Sequence, residues 1–254
     1  MRKMENRDPI RKEPEMHQRA TLYSGTRNAS SWAMRAWLAL RAAQFPFNEV
    51  IVDIRRPQRF ANLAEIAKRS PAAAVPVLEV DGKYIFESSA IMEYANDHCN
   101  GALLPRQRWQ RASARSLIAW QHAGLSGICA RISFESAFYP YKRKLSGAEQ
   151  TEAARLFAHL EDLLAGSSGP FLFGEAGLAD FMLAPTAIRL SRHGVDTCYF
   201  PMTGRWMETI TQHDLVAEWL EEADRLPHIW FDEYLIDGVP VDLQPARAER
   251  SVPS

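Results

Sequence analysis

A turn near the start of the chain carries several hydrogen-bond donors. Asn28, Ser30 and Ser31 supply amide and hydroxyl groups just ahead of a helical pattern that begins near Trp32. The first backbone N–H groups of a helix have no partner within it and carry a partial positive charge. With the side-chain donors they can stabilise an anion, such as an ionised thiol. The turn is therefore a candidate for chemistry, although capping of the helix is the expected role of Ser31.

Two later segments can hold a small peptide. Val75 precedes Pro76, and a residue before proline favours extended backbone, so Val75 can pair with the backbone of an extended ligand. Glu87 and Ser88 open a further helix, where free N–H groups and a serine hydroxyl can bind a carboxylate while Glu87 complements an amine. The structural alternatives are a proline that begins a strand and a serine that caps a helix.

An α/β unit must position these three segments. The pattern predicts a strand, a helix, a strand, an irregular helix, two strands and a closing helix at residues 21–24, 32–40, 47–52, 57–68, 75–80, 83–86 and 88–98. Asp81-Gly82 between apolar runs is a strong hairpin signal. A strand, helix and strand in succession imply a right-handed crossover between parallel strands. The predicted order is βαβ followed by ββα.

Most of the rest of the chain is predicted to be helical. Apolar stripes with helical spacing occur at residues 109–130, 149–164, 178–191, 202–212 and 214–225. We therefore predict five regions: a disordered arm at 1–19, the α/β domain at 20–100, a linker at 101–107, a helical domain at 108–235 and a flexible tail at 236–254.

Composition excludes several classes of protein. The 254 residues include 30 Lys and Arg against 31 Asp and Glu, and this balance argues against nucleic acid as a partner. The sequence has no run of eighteen apolar residues, which excludes a membrane span, and the arm lacks a signal-peptide pattern. Cys99, Cys129 and Cys198 are odd in number and without metal-type spacing. We therefore expect a cytoplasmic protein with no disulfide framework and no metal site.

Four segments, taken in order, resemble one family. They are Leu22-Tyr23-Ser24 with Asn28-Ala29-Ser30-Ser31-Trp32, Ser70-Pro71-Ala72-Ala73-Ala74-Val75-Pro76-Val77-Leu78, Phe86-Glu87-Ser88-Ser89-Ala90-Ile91, and Phe171-Leu172-Phe173-Gly174 with Leu178-Ala179-Asp180. Over residues 20–230 they are similar to the glutathione transferases, and in particular to a bacterial subgroup with an Asn-x-Ser-Ser-Trp first turn that is related to the zeta and beta classes. The resemblance implies an N-terminal thioredoxin-like domain followed by an all-helical domain.

The resemblance also implies a set of roles. Glutathione is the co-substrate, bound by Val75, Pro76, Glu87 and Ser88, with a cis Val75-Pro76 bond. The first turn must hold the ligand thiol as a thiolate. Aligned on the tryptophan, Ser30 falls where beta and zeta members carry a cysteine, and Asn28 falls where zeta members carry a serine. Ser30 is the favoured donor, with Asn28 and Ser31 as alternatives.

A pocket for an electrophile is expected between the two domains. Its candidate residues are Trp32, Trp120, His122, Phe134, Phe138 and Tyr139. Aromatic stripes on helices are more often core than pocket, so packing is the alternative role of most of them. Family members are usually homodimers, and the resemblance implies one here.

The expected function is a glutathione transferase in which the thiolate attacks a hydrophobic, aromatic electrophile. The alternatives are a glutathione-dependent isomerase, a glutathione lyase or thiol reductase, and a non-catalytic interaction protein. All three cysteines fall at or beyond the end of the first domain, which disfavours the reductase. Two departures from the family pattern matter. Ala73-Ala74 stands where Gly and a polar residue are usual, which favours the non-catalytic protein, and Gly177 replaces a Ser or Thr cap.

Overall fold

The computed structural model describes residues 19–55, 58–123, 128 and 132–228. The predicted tail and all but the last residue of the predicted arm lie outside these ranges. So do Cys129 and most of the helix predicted beyond residue 123.

The first unit alternates strands and helices in the predicted order. Its elements are β1 (Ala20–Gly25), α1 (Ser31–Ala42), β2 (Asn48–Val52), α2 (Arg59–Ile66), β3 (Val77–Val80), β4 (Lys83–Phe86) and α3 (Ser88–His98). β3 begins two residues later than predicted. The reason is that Pro76 has no N–H to donate to a ladder, and the ladder with β1 ends at Val77.

Four strands form one mixed sheet in the order β2-β1-β3-β4. β1 runs parallel to β2 and antiparallel to β3, which pairs antiparallel with β4. Asp81 and Gly82 join β3 to β4 with φ angles of 49° and 77°. A two-residue turn of this kind requires positive φ at both positions, and Asp-Gly tolerates it. The sheet and its hairpin therefore match the sequence prediction.

The second unit is helical throughout the described residues. It contains α4 (Arg108–Ala123), a 3-10 turn (Glu135–Phe138), α5 (Gly147–Ala165), α6 (Leu178–Arg192), α7 (Pro201–Gln212) and α8 (Asp214–Asp224). α6 is buried along nearly its whole length and packs against α1, α4 and α7. A helix with apolar residues all round is buried on all sides, as the sequence of α6 requires.

One apolar core joins the two units. α1 buries Met34, Trp37 and Leu38 between the sheet, α3 and the helices of the second unit. The N-terminus of α1, which carries the donor-rich turn, is therefore held between the two units. Within the described ranges, no helix is long and apolar enough to cross a membrane, and no group of three metal-ligating side chains occurs.

Candidate active site

A cavity of about 270 Å³ lies where four elements meet. It is bounded by the start of α1, the loop before β3, the start of α3, and α4. The lining residues are Trp32, Ala72, Ala74, Val75, Pro76, Glu87, Ser88 and His122. All four positions predicted to bind glutathione are therefore neighbours in space, although twelve residues separate Val75 from Glu87 along the chain.

Val75 presents an unpaired stretch of backbone at this cavity. The Val75-Pro76 bond is cis, as the resemblance implied. Neither the N–H nor the C=O of Val75 has a backbone partner among the described residues. Buried or lining backbone groups normally find a partner, so this segment can accept an extended peptide as an additional short strand.

Ser88 is a second group without a partner. Its side chain is only 2% exposed, and its hydroxyl makes no hydrogen bond within the described part of the chain. The helix-capping alternative for Ser88 was wrong, because Ser88 is the first residue of α3 and the cap position is Glu87, whose side chain makes no cap hydrogen bond. Glu87 has a φ angle of 69°, an unfavourable value for a residue with a Cβ. A buried hydroxyl beside free helix N–H groups is suited to a carboxylate.

Ser30 is the N-cap of α1. Its Oγ accepts a hydrogen bond of 3.2 Å from the Ala33 N–H, which leaves the hydroxyl proton free to donate. The expectation that Ser31 caps this helix was wrong, because Ser31 is already the first helical residue. Ser30 does not line the cavity itself. Ser30 and Val75 both lie close to Gly25, where a Cβ would be 2.8 Å from Ser30 Oγ and 2.9 Å from Val75 Cγ2.

The other two candidate donors point into the interface between the units. Asn28 Nδ2 donates to the Pro227 carbonyl at 2.9 Å, and its Oδ1 is buried without a partner in the described ranges. Ser31 Oγ accepts a 3.0 Å hydrogen bond from Arg189 of α6. Ser30 is therefore the candidate donor whose side chain is not engaged by the second unit. Its role as thiolate donor stays a prediction.

Arg27 also holds the turn in place, and no motif in the sequence indicated this role. Its guanidinium makes two hydrogen bonds of 2.8 and 2.7 Å to Glu49 and one of 2.9 Å to Glu222. It also stacks on Trp219, 4.1 Å from the ring centroid, and Trp219 Nε1 donates to the Arg27 carbonyl at 3.0 Å. Glu222 is 195 residues away along the chain, and no local pattern could have indicated this pairing.

Trp32 and His122 form one wall of the cavity. Their rings meet edge to face with centroids 5.3 Å apart. His122 Nε2 lies 3.8 Å from Glu87 Oε2, and the guanidinium of Arg35 lies 4.3 Å from the Trp32 ring centroid. Of the six residues predicted for an electrophile pocket, these two line the cavity.

The remaining four candidates lie elsewhere. Phe134, Phe138 and Tyr139 are buried in the core, where the first two pack edge to face at 5.2 Å. Trp120 contacts His159 and lines a separate cavity of about 310 Å³ between α4 and α5. None of these four side chains lines the 270 Å³ cavity, and their assignment to a substrate pocket stays a prediction.

The two departures from the family pattern have structural consequences. Ala73 has a φ angle of 47°, a region where glycine is favoured, and Ala74 lines the cavity with a methyl group. At Gly177, a Cβ would lie 2.7 Å from the Leu103 carbonyl oxygen, so the position has no room for a serine. The Leu103 carbonyl instead accepts the Leu178 N–H at 2.9 Å.

Comparisons with known proteins agree with this geometry. The glutathione S-transferase N-terminal domain model matches residues 29–98, and the C-terminal domain model matches residues 141–222. A maleylacetoacetate isomerase from Dictyostelium discoideum is 28% identical over 214 residues, which cover 80% of this chain and 92% of the relative. A probable maleylacetoacetate isomerase from Caenorhabditis elegans is 31% identical over 198 residues, which cover 76% and 89%.

A solved structure extends the comparison. It is a glutathione transferase homolog from Burkholderia with bound glutathione, 25% identical to this chain, with a TM-score of 0.61 over 82% of this chain and 100% of the homolog. The chain belongs to the glutathione S-transferase family. The predictions of the family, the fold class and a glutathione-dependent enzyme are confirmed.

Proposed function

We propose that the protein binds glutathione in the 270 Å³ cavity and catalyses attack of the glutathione thiolate on an electrophilic carbon of a small hydrophobic substrate. The observation that carries this proposal is the meeting, in one cavity, of the unpaired Val75 backbone, the unpaired Ser88 hydroxyl and the start of α1. Glutathione is the co-substrate. It has an extended backbone for the first group, carboxylates for the second and a thiol for the third.

The protein contributes position and a stabilised thiolate. A free thiol has a pKa of about 8.5, so little is ionised near neutrality. A hydrogen bond from Ser30 and the positive end of α1 both favour the ionised form, which is the nucleophile. In a transfer reaction the sulfur bonds to the electrophilic carbon, the leaving group departs with its electron pair, and the conjugate is released.

Isomerisation is the second candidate, and the names of the relatives favour it, since both close relatives described above are maleylacetoacetate isomerases. In this case the thiolate adds to a conjugated double bond, rotation occurs about the resulting single bond, and elimination returns the thiolate. Glutathione is then regenerated in each cycle. Both candidates need the same thiolate site, and they differ in whether glutathione is consumed.

The test measures glutathione binding by calorimetry and then turnover with two substrates. A chlorinated aromatic acceptor reports transfer with consumption of one glutathione per product, and maleylacetoacetate reports isomerisation with glutathione unchanged. Ser88→Ala should raise the dissociation constant of glutathione about tenfold, because a hydrogen bond to a carboxylate is lost. Ser24→Ala is the matched control, since it also removes a buried, unpartnered hydroxyl but lies outside the cavity. If the wild-type protein does not bind glutathione, the proposal is wrong.

We also propose that two copies pair through a groove of about 410 Å³ between α3 and α4. Small side chains, Ala90, Ala119 and Ala123, line it and allow close approach, while Glu93 and Arg115 pair at its rim. His122 lines both this groove and the cavity. Ala119→Glu should give a monomer by sedimentation, and a wild type that sediments as a monomer would contradict the proposal.

A reducing cytoplasm is the proposed location. Cys99 and Cys198 are free thiols in the described part of the chain, which agrees with a compartment where disulfides do not persist. Fractionation of cells that produce the protein would test this placement.

A further inference from the structure

Arg189 is a buried cation that reaches from the second unit to the first turn. It lies in α6, in a stretch that is otherwise apolar or neutral at most positions, and is only 3% exposed. Its Nη2 donates to Ser31 Oγ at 3.0 Å, and its Nη1 donates to the Pro185 carbonyl at 3.4 Å. The guanidinium also lies 5.1 Å from the ring centroid of Phe134. Arg189 is therefore fixed against the start of α1.

The charge of Arg189 is poorly compensated. Within the ranges that the structure describes, no carboxylate lies at ion-pair distance from it, and its Nε has no hydrogen-bond partner. Glu135 of the 3-10 turn interacts electrostatically with Arg189. Burial raises the pKa of Glu135 to about 7, although the charge of Arg189 acts to lower it. A buried cation is costly unless an anion accompanies it.

The surroundings of Arg189 add to this positive charge. Ser31 is the first residue of α1, where the helix macrodipole places its positive end. The guanidinium and the helix end therefore create a positive potential at the same point. An anion bound at the first turn would be stabilised by the guanidinium and by the helix end. In the proposed function, this anion is the glutathione thiolate.

We propose that Arg189 is a positioning residue of the active site, and that its charge, held against Ser31, stabilises the thiolate of bound glutathione. This inference rests on the proposed function. It assigns to the helical domain a part in activating the thiol, in addition to shaping a pocket for the electrophile. The sequence carried one signal for it, an arginine between Ile188 and Leu190 in an apolar helix.

The experiment titrates the ultraviolet absorbance of the thiolate in the glutathione complex of wild type, Arg189→Met and Arg189→Lys. Removal of the charge in Arg189→Met should raise the thiol pKa by about one unit, which lowers the thiolate fraction about tenfold at pH values below that pKa. The KM for glutathione should change little while kcat falls. Arg189→Lys keeps the charge and should keep the thiol pKa within about half a unit of wild type.

Arg41→Met is the matched control. Arg41 lies in the last turn of the same helix, α1, and is bound to Glu218 at 2.6 and 2.8 Å, so the variant removes one arginine at the opposite end of the helix from Ser31. Its thiol pKa should equal that of wild type. Circular dichroism and thermal unfolding establish that each variant is folded. If Arg189→Met does not fold, the test depends on Arg189→Lys. If this variant folds and the pKa of the bound thiol rises to that of free glutathione, the inference is wrong.

The outcomes separate the inference from the function beneath it. A wild type whose bound thiol titrates like free glutathione contradicts the proposed function, and the inference with it. If the thiol pKa is lowered in the wild type and is equally low in folded Arg189→Met, only the role of Arg189 is contradicted.

Discussion

At the scale of single residues, Ser30 has one observed hydrogen-bonding role and one proposed role. Its oxygen accepts from the Ala33 N–H and caps α1, and its proton remains available to a ligand. Among the three candidate donors of the turn, Ser30 differs from Asn28 and Ser31 in having no hydrogen bond to the second unit within the described residues.

Ser30→Ala removes both roles. We expect kcat to fall about tenfold or more, because a hydrogen bond to a charged group contributes roughly 1.5 to 3 kcal/mol. The free energy of unfolding should fall by about 1 kcal/mol through loss of the cap. Steady-state kinetics and urea denaturation measure the two effects. Asn28→Ala is the comparison, and turnover that survives Ser30→Ala but is abolished by Asn28→Ala would show that the donor is misassigned.

At the scale of elements, the start of α6 is capped in an unusual way. Gly177 replaces the hydroxyl residue expected from the family, and the Leu103 carbonyl occupies the space of its side chain. Asp180 supplies the other half of the cap by accepting hydrogen bonds of 3.1 Å from the Gly177 and Leu172 N–H groups and of 2.8 Å from Trp206 Nε1. Burial raises the pKa of Asp180 to about 6 against these hydrogen bonds.

Gly177→Ser should therefore destabilise the protein, although serine is normally a good N-cap. The new Cβ would be forced against the backbone oxygen of Leu103, and we expect a loss of about 1 to 3 kcal/mol. Thermal and urea unfolding measure it. Gly147→Ser in the first turn of α5, where a Cβ would meet nothing within 4 Å, is the control and should be near neutral. A more stable Gly177→Ser would contradict the steric argument.

A buried ion pair at the start of α5 makes stability depend on pH. Burial alone would raise the pKa of Glu149, but hydrogen bonds from Arg143 at 2.6 and 2.8 Å and from Ser146 hold it at about 2. The ionised form is thus favoured in the folded state. Its contribution, roughly 1 to 3 kcal/mol, should be complete above pH 4.5 and lost as the pH falls toward 2.

Chemical unfolding at several pH values tests this dependence. Glu149→Gln should be less stable at neutral pH, because Arg143 loses its buried partner, and should lose less stability on acidification. Glu65→Gln, which alters the exposed pair with Lys68, should leave the acid dependence largely unchanged. If the free energy of unfolding falls equally on acidification in the wild type and in Glu149→Gln, the proposed pH dependence is wrong.

At the scale of the whole molecule, the second unit holds the donor-rich turn from two sides. α8 holds it through Arg27 and Trp219, and α6 holds it through Arg189 and Ser31. The geometry of the turn is therefore a property of the interface between the units rather than of the thioredoxin-like unit alone.

Trp219→Phe tests this coupling. It removes the indole N–H that donates to the Arg27 carbonyl, so we expect lower stability and a kcat several-fold lower in the folded enzyme. Trp206→Phe is the matched control, because it removes a similar buried hydrogen bond, to Asp180, away from the turn. Its stability should fall while kcat of the folded enzyme is kept. Equal kcat values for wild type and Trp219→Phe, measured well below the unfolding temperature, would refute the coupling.

The sequence by itself determined the local features of this protein. Hydrophobic periodicity placed the helices, Asp81-Gly82 placed the hairpin, and short motifs grouped Val75, Pro76 and Ser88, which line one cavity in the structure. These features depend on backbone preferences and on residues close together in the chain, and such signals survive in a single sequence.

Only the tertiary structure decided how the donors of the turn are used. Asn28 is hydrogen-bonded to Pro227 and Ser31 to Arg189, at separations of 199 and 158 residues along the chain. The aromatic side chains of Phe134 and Phe138 are buried in the core. A hydroxyl or a ring has the same chemistry in a pocket, a cap or a core. Which role it takes depends on the neighbours that folding brings to it, and those neighbours leave no trace in the local sequence.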